Sequence, residues 1–367
     1  MGMVERARAA VLVEPRRIEI EEIAVPETGA DDGILKVEAT GVCGSDIPYY
    51  TGEIQGGMGR MPIILGHEIV GRVDRIGNEA AEKWNLREGD RIIVEEHIPC
   101  GHCDLCYGGL HKMCIKRRYG SMSTDVSPTL WGGYADAIYL DPNAVIYKAD
   151  PKVPAELVTL FIPISNGIYW VQQVAGAGIG STVVIIGPGQ HGIGCCIAAR
   201  EAGARNIVLV GLSNDRERLD LGLQFGATHA LESDKENVVE IVRELTGGQM
   251  ADCVIDVTPG ASEPLAMALD LAKVRGTIVQ AGFKHFKPLT NFLSDKMFMK
   301  ELTFKGVWGR STESVPIALR LIESGKLPLE KLCTHKFDVQ DTGRALEAAN
   351  RENGEHSMHV SVIPGIS

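Results

Sequence analysis

The chain of 367 residues is 44% hydrophobic and 23% charged, which is typical of a globular protein and too apolar for a disordered one. Its 37 Lys+Arg and 48 Asp+Glu give a net charge of −11, which argues against a nucleic-acid partner because such partners favour basic surfaces. No apolar run approaches the roughly 18 residues of a membrane span, so no membrane partner is expected.

The cysteines and the first residues indicate a reducing compartment. The nine cysteines are an odd number, which does not suit a disulfide framework. Residues 1–15 carry charges at Glu5, Arg6 and Arg8 and only a brief apolar patch, unlike a secretory signal. We therefore predict a cytoplasmic protein in which clustered thiols bind metal.

The first 150 residues are predicted to form short strands, because apolar runs such as 34–39 and 91–95 are bounded by Gly, Asp and Pro. Two motifs in this region carry metal-binding residue types. Cys43 is followed by Ser45 and Asp46, and His67 by Glu68. One Cys, one His and a carboxylate suit a catalytic zinc with an open position, although a buried Cys or His is also ordinary in a protein core.

A second metal motif follows at residues 100–114. Four thiolates on one short loop can close a tetrahedron around zinc and leave no position for a substrate, so this site is predicted to be structural. His102 and His111 lie in the same loop and are alternative ligands. The predicted ligands are Cys100, Cys103, Cys106 and Cys114.

From about residue 183 the pattern changes to alternating strands and helices, which predicts a parallel sheet covered on both faces. The predicted strands are 183–186, 207–210, 253–257 and 277–281, and the predicted helices are 195–202, 215–225, 238–245 and 264–272.

A glycine-rich turn between the first of these strands and its helix matches G-x-G-x-x-G. The first glycine allows a tight turn, the second a close approach to a pyrophosphate, and the third close helix–strand packing. The helix N-terminus then offers free N–H groups to the phosphates. The motif predicts a dinucleotide site formed by Gly187, Pro188, Gly189, Gln190, His191 and Gly192.

The next strand lacks the acidic residue that binds the ribose 2′-hydroxyl of NAD and repels the 2′-phosphate of NADP. Gly211 or Ser213 takes that place, depending on how the loop is aligned. Arg216 or Arg218 could meet a phosphate, but either could equally be a solvent-facing helix charge. Both NAD and NADP therefore stay open as cofactors.

Together these motifs resemble the zinc-containing alcohol dehydrogenases of the medium-chain dehydrogenase/reductase family, almost from end to end. The resemblance implies an α/β fold in which a Rossmann dinucleotide-binding domain is inserted in a GroES-like, partly open β-barrel catalytic domain. The catalytic domain would comprise 1–155 and 300–367, and the Rossmann domain 156–299. Besides the cysteine loop and the glycine turn, the matching segments are 66–77, 89–92, 132–135, 300–303 and 324–327.

The resemblance also implies roles for individual residues. Zinc would polarise the alcohol oxygen, and hydride would pass from the carbinol carbon to the nicotinamide. Cys43 and His67 match zinc ligands, and Glu68 matches a carboxylate that approaches the metal directly or through water. Asp46 would orient the ring of His67, and Ser45 would accept the substrate proton. Asn166 matches a position at the nicotinamide end of the cofactor.

Two positions, Ile162 and Pro48, set this chain apart from the family, and a third, Glu96, is a candidate pocket residue. Ile162 stands where the family has its third zinc ligand, so either Glu68 completes a Cys–His–Glu site or the catalytic zinc is absent. Pro48 replaces a relay histidine of many relatives. Glu96 lies four residues before the cysteine loop, where relatives often place a pocket residue.

The sequence therefore predicts a zinc-dependent NAD(P) alcohol dehydrogenase for a secondary or cyclic alcohol and its ketone, forming a homodimer or homotetramer. A carbonyl reductase without the catalytic zinc and a non-enzymatic nucleotide-binding scaffold are the alternatives. The apolar Ile162 and the aromatic Tyr49, Tyr50 and Trp131 favour a hydrophobic substrate over a polyol, and core packing is an equal alternative for Trp131.

Overall fold

A computed structural model describes residues 5–54, 60–114, 117–354 and 356–366. The chain divides into two compact units: a β-rich unit, Met1–Leu160 with Leu321–Ser367, and an α/β unit, Phe161–Arg320. Both divisions lie further along the chain than the boundaries expected from the sequence, after residues 155 and 299. No helix within the described ranges has the length and apolarity needed to cross a membrane.

The strands are β1 (Arg6–Glu14), β2 (Arg17–Ala24), β3 (Gly33–Gly41), β4 (Ile63–Ile64), β5 (Glu68–Ile76), β6 (Arg91–Val94), β7 (His97–Ile98), β8 (Arg117–Arg118), β9 (Ala137–Leu140), β10 (Ile146–Lys148), β11 (Thr182–Ile186), β12 (Asn206–Gly211), β13 (His229–Glu232), β14 (Ala251–Asp256), β15 (Ala272–Gln280), β16 (Thr303–Gly306), β17 (Cys333–Phe337) and β18 (His359–Val362).

The α-helices are α1 (Ile47–Thr51), α2 (Asn78–Trp84), α3 (Asp104–Tyr107), α4 (Ala155–Val158), α5 (Phe161–Gly167), α6 (Gln190–Glu201), α7 (Arg216–Gln224), α8 (Val238–Leu245), α9 (Glu263–Leu271), α10 (Asp295–Lys300), α11 (Ser314–Glu323) and α12 (Thr342–Ala349). A π-helical segment, Ile168–Val174, directly follows α5.

The β-rich unit is built on a seven-stranded sheet ordered β10-β6-β5-β3-β18-β17, with β9 also paired to β3. A three-stranded sheet, β2-β1-β4, and the β7-β8 pair complete it. Aliphatic side chains of β1, β3, β5, β6 and β9 form its core together with buried rings such as Tyr119 and Tyr134. Each fully buried Val, Leu or Ile side chain of this kind contributes about 1.5–3 kcal/mol.

The register between β3 and β5 brings distant residues together. The two strands are antiparallel, and Gly41 at the end of β3 pairs with Glu68 at the start of β5. Cys43 follows β3 by two residues, and His67 immediately precedes β5. Sheet pairing therefore brings the two sequence motifs to the same end of the sheet.

The α/β unit contains a six-stranded sheet ordered β13-β12-β11-β14-β15-β16, in which every neighbouring pair is parallel. Its central strands are short, fully buried runs such as Thr182–Ile186, as expected for a parallel sheet covered on both faces. Helix α6, which follows β11, begins at Gln190 inside the glycine-rich turn, whereas the sequence predicted a start at residue 195. Strand β13 has no counterpart among the strands predicted from the sequence.

Candidate metal centres and active site

Four thiols meet in the loop that contains α3. The Sγ atoms of Cys100, Cys103, Cys106 and Cys114 all lie within 4.8 Å of one another. Cys106 Sγ is 3.6 Å from Cys103 Sγ and 4.0 Å from Cys100 Sγ. A Zn–S bond of about 2.3 Å in a tetrahedron requires S–S distances of about 3.8 Å, so the four thiols fit zinc.

Backbone groups in this loop favour the thiolate form of Cys100. A hydrogen bond from the backbone N–H of His102 is the largest effect, and it helps to lower the pKa of Cys100 to about 6. Because thiolates are the metal-binding form, the lowered pKa favours Cys100 as a ligand near neutral pH, whereas burial raises the pKa of Cys106 to about 11. Among the described residues, the grouped ligand atoms belong to the four cysteines. The ring of His102 instead contacts the carbonyl oxygen of Cys100, with Nδ1 at 2.7 Å.

A second group of ligand atoms lies where β3 ends and β5 begins. Ligand atoms of Cys43, His67 and Glu68 all lie within 4.8 Å of one another, and all three residues are buried. A thiol, an imidazole and a carboxylate form a donor set that suits zinc. The site therefore has three protein ligands available without a contribution from Ile162.

Asp46 holds the ring of His67. Its Oδ1 is 3.3 Å from His67 Nδ1, and its Oδ2 accepts hydrogen bonds from the Tyr134 hydroxyl, at 2.8 Å, and from the backbone N–H of Cys43, at 3.1 Å. Burial raises the pKa of Tyr134 well above its usual value, so the phenol stays protonated and can donate. Because Nδ1 faces Asp46, Nε2 faces Ser45, whose Oγ lies at 3.4 Å.

The surroundings of His67 are strongly negative. Burial lowers the pKa of His67, but the negative charges of Asp46, Glu96 and Cys43 outweigh it and raise the pKa well above its usual value. A site that stabilises a positive charge on an imidazole also attracts a divalent cation, since the same negative groups act on both.

The glycine-rich turn has the shape that a dinucleotide needs. Gly187 has φ +112°, a conformation that favours glycine, and a Cβ on Gly192 would collide with the carbonyl oxygen of Gly187. A Cβ on Gly189 would meet nothing within 4 Å, so open space lies beside the N-cap of α6. Open space at a helix N-terminus, where the helix dipole favours negative charge, fits a diphosphate.

Comparisons with known proteins show which family the chain belongs to. Residues 29–150 match the alcohol dehydrogenase GroES-like domain, and residues 192–324 match the zinc-binding dehydrogenase domain. The chain is 37% identical over 366 residues to a probable alcohol dehydrogenase of Mycobacterium tuberculosis, covering 97% of this chain and 98% of that protein. The chain belongs to the zinc-type medium-chain alcohol dehydrogenases.

Two further relatives extend the similarity. An erythritol/L-threitol dehydrogenase of Mycolicibacterium smegmatis is 29% identical, with 98% of each chain covered. The crystal structure of an alcohol dehydrogenase from Thermotoga maritima superposes with a TM-score of 0.88 at 26% identity, covering 98% of this chain and 99% of that one.

Family membership confirms the predicted fold, a Rossmann domain combined with a GroES-like domain. This alcohol dehydrogenase is an NAD(P)-dependent oxidoreductase that acts on CH–OH groups of small-molecule alcohols and binds zinc.

In this alcohol dehydrogenase, a buried ion pair stands beside the metal-binding residues. Glu96 is bound by the guanidinium of Arg118, and both residues are buried. Glu96 Oε2 also lies 3.6 Å from His67 Nε2, the ring nitrogen that does not face Asp46. The sequence indicates Glu96 as a pocket candidate, but it gives no signal for Arg118.

Two of the aromatic residues expected at the substrate pocket belong instead to the core. Trp131 is 2% exposed, packs between the rings of Tyr119 and Tyr139, and donates its indole N–H to Val126 O. The Tyr50 hydroxyl, also buried, donates to Glu347 at 3.2 Å. Tyr50 and Trp131 therefore no longer support the expectation of a hydrophobic substrate.

Gly41 and His359 take part in this site, although neither was among the predicted site residues. A Cβ on Gly41 would collide with Glu68 Oε2 and lie 2.8 Å from His359 Cε1, so only glycine leaves room for the buried carboxylate. Nε2 of His359 is 2.7 Å from Thr159 Oγ1. His359 reaches this position because β18 pairs with β3, which no local motif reveals.

In the α/β unit of this alcohol dehydrogenase, the structure brings Asn166 and His191 together. Asn166 is 5% exposed, and its Nδ2 lies 3.0 Å from His191 Nε2. Trp170 packs on the same imidazole, with ring centroids 5.4 Å apart.

Other predicted residues of this unit lie elsewhere. Ile162 is buried in α5, and its side chain offers no metal-binding atom. At the end of β12, Gly211 and Ser213 are followed by α7, which carries the half-buried Arg218.

Proposed function

We propose that this protein catalyses the zinc-dependent, reversible oxidation of a secondary alcohol, open-chain or cyclic, to its ketone with NAD(P)⁺. The observation that carries the proposal is the buried group of ligand atoms from Cys43, His67 and Glu68. The four-cysteine loop would hold a second, structural zinc. Because Glu68 supplies a third ligand, the site does not need one at Ile162.

A zinc ion at Cys43, His67 and Glu68 would lower the pKa of the alcohol hydroxyl and so favour its ionisation near neutral pH. Ser45 Oγ, 3.4 Å from His67 Nε2, would accept the hydroxyl proton and release it to water. Asp46 would keep Nε2 of the imidazole directed into the site. The carbinol carbon would lose a hydride to the nicotinamide, so the products are a ketone, NAD(P)H and one proton.

The proposal includes the substrate class. A carboxylate and a guanidinium buried beside His67 would stabilise additional hydroxyl groups of a substrate and disfavour a purely hydrocarbon one. The relative that is named an erythritol/L-threitol dehydrogenase acts on such compounds. We therefore infer a secondary alcohol with a further hydroxyl group near the carbinol carbon.

Metal content and turnover test the proposal together. The wild type should hold two zinc ions per chain, and Cys43→Ala should hold one and lose about 10³-fold or more in kcat/KM, as expected when several kcal/mol of metal assistance is removed. Cys253→Ala is the matched control, because its thiol is also buried but belongs to the β14 strand. Vicinal diols and polyols should be turned over with higher kcat/KM than monohydroxy alcohols of the same length.

A different result would favour another function. One zinc per chain, with full carbonyl reduction by Cys43→Ala, would identify a reductase without catalytic zinc. Tight dinucleotide binding without turnover of any alcohol or ketone would indicate a scaffold.

The remaining predictions belong to the same proposal. We place the enzyme in the cytoplasm, where a reducing environment suits nine cysteines without disulfide bonds, four of which form the zinc loop. We also propose a homodimer or homotetramer, without nucleic-acid or membrane partners. Light scattering of the purified protein measures the assembly state.

A further inference from the structure

We propose that Asp234 supplies the carboxylate that the end of β12 lacks, and that it thereby makes this enzyme prefer NAD over NADP. The inference goes beyond the proposed function and does not depend on the catalytic zinc. It concerns only residues of the α/β unit, which carries the glycine-rich turn.

The location of Asp234 follows from the order of the parallel strands. The glycine-rich turn follows β11, β12 lies next to β11, and β13 lies next to β12. In this fold the adenosine ribose binds at the carboxyl end of the strand beside the glycine turn, which is β12. Gly211, the last residue of β12, pairs with Glu232, the last residue of β13. Asp234, two residues further, therefore belongs to the same edge of the sheet.

No acidic side chain can occupy the end of β12 itself. A Cβ on Gly211 would lie 2.8 Å from Pro188 Cγ, within the glycine-rich turn, and 3.3 Å from Asp215 Cβ. The Asp215 carboxylate accepts the backbone N–H of Leu212, at 3.2 Å, inside its own loop. The residue left at the ribose position is Ser213, which carries no charge.

The carboxylate of Asp234 is hydrogen-bonded to Ser213. The backbone N–H of Ser213 donates to Asp234 Oδ1 at 2.8 Å, and the Ser213 hydroxyl donates to Oδ2 at 2.5 Å. The hydrogen bond from the Ser213 hydroxyl is the main reason that the pKa of Asp234 lies below its usual value, so the group is ionised at neutral pH. Asp234 is exposed. An exposed carboxylate fixed by two hydrogen bonds can accept hydrogen bonds from ribose hydroxyls.

Two nearby cations, Arg216 and Lys235, are paired with carboxylates. Arg216 contacts Asp220 and lies 3.6 Å from Glu232, and Lys235 Nζ is 2.6 Å from Glu232 Oε2. A 2′-phosphate, which carries nearly two negative charges, would be repelled by the Asp234 carboxylate, while Arg216 and Lys235 already contact Asp220 and Glu232.

Binding constants measured on the full-length protein test the inference. Titration with NADH and with NADPH, followed by energy transfer from tryptophan, should show at least tenfold tighter binding of NADH to the wild type. Asp234→Asn keeps the size of the side chain and removes its charge. It should tighten NADPH binding about tenfold or more and weaken NADH binding a few-fold. Asp295→Asn, which removes an exposed charge at the start of α10 in the same unit, should change neither constant.

Equal binding of the two cofactors by the wild type would overturn the inference, as would an unchanged NADH/NADPH ratio in Asp234→Asn. Tighter NADPH binding that is lost in Arg218→Ala would assign the selectivity to Arg218 instead. Circular dichroism verifies that each variant is folded. The same titrations on Cys43→Ala separate this inference from the zinc proposal, because the cofactor preference should persist there even if turnover is lost.

Discussion

The carboxylate of Asp46 connects the metal-binding residues of the β-rich unit through contacts with a backbone N–H, an imidazole and a phenol. The Asp46–Cys43 contact is local, because three residues separate the partners. The contacts with His67 and Tyr134 span 21 and 88 residues along the chain. The family resemblance implies the contact between Asp46 and His67, but nothing in the sequence points to the contact with Tyr134, so the role of Tyr134 emerges only from the structure.

Tyr134→Phe should weaken zinc binding at the Cys43–His67–Glu68 site about 10- to 100-fold, because Asp46 loses a donor that fixes its orientation toward His67. Competition with a chelator of known affinity measures this. Tyr139→Phe is the matched control, since its hydroxyl donates to Asp32 at 2.9 Å, a residue that the site does not use. Equal zinc affinities in the two variants would contradict a positioning role for Tyr134.

At the scale of elements, helices α5 and α6 approach closely in the α/β unit. A Cβ on Gly194 would collide with the carbonyl oxygen of Pro163, and a Cβ on Gly167 would collide with the backbone of Gly194. Glycine at both positions therefore lets the helices come into backbone contact. The contact is next to the dinucleotide turn, because α6 begins there, and it also orients Asn166 toward His191.

Gly194→Val should lower the free energy of unfolding by about 2–3 kcal/mol, because the added side chain meets backbone atoms that cannot rotate away. NADH binding should weaken as well, since α6 must shift. Urea denaturation and cofactor titration measure the two effects. Gly178→Val is the control, because a Cβ there meets nothing within 4 Å. A Gly194→Val protein as stable as the control would rule out the close helix contact.

At the scale of the whole chain, the β-rich unit combines two segments that are far apart in sequence. Strand β18 from the second segment pairs with β3 from the first. Arg8 donates to Asp136 and to Asp338 at 3.0 Å each, which joins β1 to the C-terminal segment. The N–H of Gly365 also donates to Asp338, at 2.7 Å.

Asp338→Asn should reduce the free energy of unfolding at pH 7 by about 1.5–3 kcal/mol, the usual contribution of hydrogen bonds to a charged group. Burial raises the pKa of Asp338, but the N–H donors of Gly365 and Val339 and the Arg8 guanidinium outweigh it, so the pKa lies below the usual 3.8. A carboxyl group whose pKa is lower in the folded state stabilises the fold at pH values above its unfolded-state pKa. That stabilisation is lost as the pH falls through its folded-state pKa.

Denaturation of both proteins should therefore show a stability difference at pH 7 that shrinks below about pH 4. Asp341→Asn is the control, because the Asp341 carboxylate pairs at i,i+3 with the exposed Arg344, a kind of contact that contributes little. A difference that stays constant down to pH 3 would contradict the assignment to the Asp338 charge.

The sequence by itself determined the features whose parts lie within one short segment. The glycine-rich turn and the four-cysteine loop are of this kind, because a few bonds of chain limit where their atoms can lie. Tertiary structure decided the rest. The β3–β5 register joined Cys43 to His67, and the pairing of β12 with β13 brought Asp234 to Ser213. Strand β13, His-Ala-Leu-Glu, lacks β-branched residues and is a strand because it pairs with β12. Such long-range contacts depend on sheet register, which no single segment of this chain specifies.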